Sequence, residues 1–125
     1  MKPYTGVRVH GPAKYHNRRT VTADGTFDSL GEESRWRELK LLERAGEISQ
    51  LERQIAYELI PTLRVPGQRT EPAIVYWADF RYHEHGQTIV EDWKGFETEG
   101  WRLKRRLFLH QYSHLTLRVT GRGRR

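Results

Sequence analysis

Cysteine is absent from this chain, so neither a disulfide framework nor a thiolate zinc site is available to it. No stretch approaches the roughly 18 apolar residues of a membrane span, and the opening MKPYTGVRVHGPAKYHNRRT has no apolar core of a secretion signal. The expectation is a soluble, cytoplasmic protein with no membrane partner. Only 36% of the 125 residues are hydrophobic, which suffices for one domain with a modest core. Internal repeats are missing, and low complexity is confined to the basic tail GRGRR.

Acidic residues are scarce at both ends. Met1 to Phe27 holds five Lys/Arg against one acid, and Trp101 to Arg125 holds eight against none, whereas Asp28 to Gly100 holds nine against fifteen. The net charge of +6 therefore hides an acidic centre between basic ends. Lys and Arg neutralise phosphates and release counterions, so this pattern suits a metal site under a polyanion-binding surface, with nucleic acid as the expected partner. A solvated tail accounts for GRGRR equally well without a partner.

Residues 1–24 lack periodicity and are rich in Gly, Pro and basic side chains. They read as a basic flexible arm, with Arg18 and Arg19 as candidate DNA contacts, ahead of a folded domain over 25–120 and a tail over 121–125. Ser29 to about Ala45 predicts a helix, with Leu30, Trp36, Leu39 and Leu42 as its apolar stripe and Gly46 as its stop. Ile48 to Ile60 alternates at Ile55, Tyr57 and Leu59, the pattern of a half-buried strand, and Pro61 ends it. Thr62 to Glu71 is a polar loop. A hairpin follows, then a helix from about Glu97 through Tyr112 with Leu103, Leu107 and Phe108 opposite its Arg and Lys, then a strand from His114 to Thr120. The order is α-β-β-β-α-β, an α/β fold.

The hairpin, YWADFRYHEHGQTIVEDWKG from Tyr76 to Gly95, carries the chemistry. A turn at His85 and Gly86, with Gly at a positive φ, sets a register that places Asp79 opposite Asp92 and Trp77 opposite Lys94. Opposed residues have Cβ atoms roughly 5 Å apart. Two carboxylates held so close repel each other unless a hard divalent ion such as Mg²⁺ lies between them. Lys94 shares the face of Asp92 and can reach an attacking water or a phosphate oxygen. Glu91 falls on the other face, which argues against it as a ligand. Upstream, Ser29 and Glu32 have the spacing of a capping box, and Glu32 is also placed to lean over the sheet as a third carboxylate. Gln54 is a candidate to align a nucleophile or substrate, or a plain surface glutamine. Lys104 and Arg105 can hold the phosphate flanking a cut, or simply face solvent. His83 with His85, and His110 with His114, do not make a His-Glu-x-x-His helix, which disfavours zinc.

Ser29-x-x-Glu32 on a helix, Asp79 on a strand, then Asp92-x-Lys94-Gly95, resembles the PD-(D/E)XK nuclease superfamily. Within it the likeness is to small phage-encoded nuclease domains that resemble branched-DNA (Holliday junction) resolving endonucleases. It spans roughly Lys14 to Tyr112. The resemblance implies a restriction-endonuclease-like core, a central mixed sheet flanked by helices, and often a homodimer. It implies Mg²⁺-dependent hydrolysis of DNA phosphodiesters, with Mn²⁺ able to substitute. By position, Glu32, Asp79 and Asp92 would be the metal ligands and Lys94 the catalytic lysine. Ala78 stands where the family pattern has proline, and Asp92 where glutamate is commoner. A nicking or restriction-like nuclease on ordinary duplex, and a catalytically silent DNA-binding or packaging protein, are the alternatives.

Overall fold

Strand β1 (Pro3–Tyr4), the hairpin of β2 (Thr20–Thr22) and β3 (Gly25–Phe27), and then α1 (Leu30–Arg44), β4 (Ser49–Ile60), β5 (Ile74–Glu84), β6 (Gln87–Lys94), α2 (Glu99–Gln111) and β7 (Thr116–Gly121) follow one another along the chain. The computed structural model describes residues 3–4 and 19–121. From α1 onward the order is the α-β-β-β-α-β expected. Among the described residues the main sheet has the order β1-β4-β5-β6-β7. Its first four strands pair antiparallel, and β7 pairs parallel to β6 after the crossover through α2. The sheet is therefore mixed.

Adjacent residues of β6 feed two different cores. Ile89 joins Leu39, Ile48, Phe80 and Tyr82 under α1, and Val90 joins Ile55, Tyr57, Tyr76, Ala78, Trp101, Phe108 and Tyr112 under α2. Successive strand residues point to opposite faces, so the two helices cover opposite sides of the sheet. Each helix docks through a spacing of about two turns. Glu32, Trp36 and Leu39 face the sheet from α1, and Trp101 and Phe108 from α2. Leu30 and Leu103 are two residues off those stripes, about 200° around the helix. They are 62% and 56% exposed, which corrects the apolar stripes expected for both helices.

The turn of the β5–β6 hairpin is as expected. His85 and Gly86 have φ of 50° and 77°, the two positive values a type I′ turn requires. The ladder runs from Glu84↔Gln87 to Phe80↔Glu91. It stops one pair short of Asp79 and Asp92, and Trp77 pairs with Ala56 of β4 instead of Lys94. Alternation breaks at the same level. Ala78 belongs to the α2 side and Phe80 to the α1 side, although strand residues two apart normally share a face. On β4, Arg53 lies over Phe27 on the α1 side while Ile55 is on the α2 side. Between them Gln54 has a φ of 60°, a left-handed conformation that costs a non-glycine residue energy. Strands β5 and β6 thus part where the candidate carboxylates sit.

The hairpin of β2 and β3 crosses the boundary drawn at residue 24. Asp24 ties it to α1, accepting a hydrogen bond from Trp36 Nε1 at 2.9 Å and pairing with Lys40. Phe27 is fully buried beside Trp36, with ring centroids 6.5 Å apart. The folded unit therefore begins by Thr20, before residue 25. Most of the proposed arm, including Arg18, lies outside the described residues, as do residues 122–125 of the tail.

Candidate active site

Glu32 reaches the sheet because of what surrounds it on α1. Ser29 Oγ caps the helix by accepting the Glu32 amide at 3.1 Å. The preceding residue, Gly31, lies so close to the Trp93 ring of β6 that any Cβ there would collide with it. This contact lets the first turn settle on the end of β6. The Glu32 carboxylate is consequently buried, with Gln54 Nε2 at 3.4 Å and Arg53 Nη2 at 3.9 Å. Ser29 thus caps the helix through the Glu32 backbone, while the Glu32 carboxylate turns inward to Gln54 and Arg53.

Asp79 is 5% exposed and accepts the Trp93 amide at 2.8 Å across the parted strands. Burial, followed by repulsion from Asp92 and then Glu32, pushes its carboxyl well above the usual range, against the pull of Lys94 and the Trp93 amide. Asp92 and Glu32 therefore both act electrostatically on Asp79. Asp92 is 1% exposed, and its Oδ2 meets Lys94 Nζ at 2.9 Å as an ion pair without hydrogen-bond geometry. Lys94 Nζ also lies 5.2 Å from the centre of the Trp101 ring. Glu32, Asp79, Asp92, Lys94 and Gln54 are thus brought to one region from four elements. Among the described residues, no three His, Asp or Glu side chains form a ready-made metal cage. Lys94 and the Trp93 amide hold Asp92 and Asp79, and Gln54 faces Glu32.

Lys104 lines a cavity of about 430 Å³ together with Lys94, whereas Arg105 is exposed on α2 and does not line it. Arg19 is exposed just before β2. His83 and His114 line a separate cavity with Arg81, and His85 is the turn residue. Glu91 faces away from the site, as expected. It is a fully buried anion held by Arg35 Nε at 2.6 Å and Nη2 at 3.0 Å, by Tyr82 Oη at 2.6 Å and by Thr120 Oγ1 at 2.9 Å.

Sequence reasoning missed Arg53, Trp93, Tyr76 and Trp101. Trp93 had a usable signal, since it is followed by Gly95 and its ring also packs closely against Gly121. Arg53 had none, because an arginine inside an alternating strand normally faces solvent.

With respect to known proteins, the chain belongs to the family described as a protein of unknown function (DUF1064), whose model matches residues 12–124. No curated protein and no solved structure matches it.

Proposed function

We propose that this protein is a metal-dependent DNA endonuclease of the PD-(D/E)XK kind, with a restriction-endonuclease-like core and a preference for branched DNA such as Holliday junctions. The observation that carries the reading is the convergence of Glu32, Asp79 and Asp92 beside Lys94 where β5 and β6 part. A buried carboxylate, Asp79, whose proton affinity burial and two neighbouring acids raise, marks a site short of positive charge. An all-oxygen donor set fits a hard divalent cation, Mg²⁺ or Mn²⁺. Glu32, Asp79 and Asp92 would hold the ion, which when bound supplies charge stabilisation at a phosphate and a more acidic water.

The side chains divide the remaining work. Lys94 Nζ, held by Asp92 at 2.9 Å, offers a proton and a positive charge to a phosphate oxygen. Gln54 fixes Glu32 from the strained position on β4. Lys104, on the helix that follows Lys94, anchors a neighbouring phosphate, a contact that positions DNA without reading its sequence.

The test is cleavage of a labelled four-way junction and a matched linear duplex, with Mg²⁺ or with EDTA, by wild type and Asp79→Asn. Junction cutting that EDTA and Asp79→Asn both abolish is the expected outcome. Equal attack on both substrates would shift the reading to a general duplex nuclease. No cutting by folded, DNA-binding protein would leave a silent DNA-binding protein.

A further inference from the structure

The cavity beside Lys94 has features the phosphodiesterase reading does not use. It is bounded by Tyr76 and Trp77 of β5, by Lys94, and by Thr98, Trp101 and Lys104 around the start of α2. Its volume of about 430 Å³ is in the range of small-molecule sites. That is room for a single nucleotide and far too little for a duplex. Tyr76 and Trp101 are 2% and 8% exposed, and Tyr76 Oη and Trp101 Nε1 are buried near each other and near Asp92 without a hydrogen bond of good geometry. Tyr76 lies next to Asp92, and the Trp101 ring lies under Lys94. Unpaired polar atoms are costly in a protein interior, and most are satisfied in the folded protein or by something it binds. At the rim, two ammonium groups and the amino end of a 13-residue helix capped by Thr98 present positive charge suited to a phosphate.

We propose that this cavity receives one unpaired nucleotide of a DNA strand running over the Asp79–Asp92 region. The phosphate would lie between Lys94, Lys104 and the start of α2, and the base against Tyr76 and Trp101. This deepens the nuclease reading and rests on it, because it makes DNA with an unpaired or splayed nucleotide the substrate class. Extruding a base from an intact duplex costs stacking and pairing, whereas a branch point or bulge has already lost them.

The experiment is fluorescence anisotropy with the full chain in EDTA, comparing a fully paired duplex with the same duplex carrying one unpaired nucleotide. Wild type should bind the unpaired substrate about tenfold more tightly, the scale of one base contact. Tyr76→Phe should erase most of that preference while leaving duplex affinity nearly unchanged, and Lys104→Ala should reduce the preference while also weakening duplex binding through its lost phosphate contact. Tyr76→Phe keeps the ring and removes a hydroxyl without a well-formed hydrogen bond, so its thermal midpoint should stay at or above the wild-type value. Equal affinity for the two DNAs, or a preference that survives both substitutions, would overturn the proposal. So would displacement of the unpaired substrate by free deoxynucleoside monophosphate as effectively as by single-stranded DNA. No metal and no cleavage enter this measurement. Lost preference with Mg²⁺-dependent cutting intact therefore sinks the cavity alone, and preference without cutting sinks the nuclease alone.

Discussion

Glu91 shows how one side chain can organise a protein without touching its candidate chemistry. Its carboxylate is fully buried and accepts from Arg35, Tyr82 and Thr120. The same carboxylate raises the pKa of Arg35 above its usual value. Removing one partner of a buried pair leaves the other charge uncompensated, at a cost of about 3–5 kcal/mol. Glu91→Ala should therefore lower the unfolding free energy by that scale, seen as a lower urea midpoint with little change in slope. Gly31 is the second residue with a sharp consequence. Gly31→Ala drives a methyl into the Trp93 ring, an overpacking that costs about 1–3 kcal/mol. Thermal melts should show that loss, and combining it with Trp93→Leu should restore part of it. Neither effect was legible beforehand. Glu91 was read as facing away from Asp92, which is correct, but the three partners that make it a hub come from α1, β5 and β7. Gly31 looked like an ordinary helix residue, because the ring it meets lies 62 positions on at Trp93.

At the level of elements, local signals were reliable and alternation across long strands was not. Ser29 and Gly46 delimit α1 in the structure much as they do in the sequence, because a cap and a left-handed stop act within one turn. The β5–β6 turn was equally readable. A type I′ turn favours Asn-Gly, so His85→Asn should stabilise the hairpin by about 0.5 kcal/mol. Gly86→Ala, forced to keep a φ of 77°, should cost about 1–2 kcal/mol. Chemical denaturation of the two variants checks both signs. The hairpin of β2 and β3 carried an Asp24–Gly25 turn signal that the boundary at residue 24 cut in two, because three-residue strands show too little pattern to separate from loop. The exchange of faces at Gln54 and Asp79 was not legible at all. It depends on two strands departing from regular geometry together, and each looks regular by itself. The expected apposition of Asp79 and Asp92 was read from a register that does hold as far as Phe80↔Glu91. The strands then diverge, and the two acids share a region without being ladder partners.

For the molecule as a whole, no described helix is long and apolar enough to cross a membrane. Four core tyrosines set a limit on the alkaline side, Tyr76 among them, its pKa raised well above the usual value by burial. Burial raises the pKa of Tyr57, Tyr82 and Tyr112, assisted at Tyr82 by Glu91 and at Tyr112 by Glu58, and opposed at Tyr57 by Arg81. Unfolded tyrosine ionises near pH 10. Above that value the unfolded chain binds fewer protons than the native one, so stability declines as pH rises. The urea midpoint should hold up to about pH 10 and fall above it, and Tyr82→Phe should make the fall shallower. The Glu91 cluster also joins distant parts of the chain, with Arg35 lying 56 positions away and Thr120 lying 29 positions away. A ribosome exposes β6 before it exposes Thr120 and Arg118, which holds Tyr82 Oη at 2.9 Å. During synthesis Glu91 can already meet Arg35 and Tyr82, but it lacks Thr120, and the flank of β6 stays open, until β7 arrives. In that interval the nascent chain presents an unpaired strand edge, the kind of surface on which chaperones act.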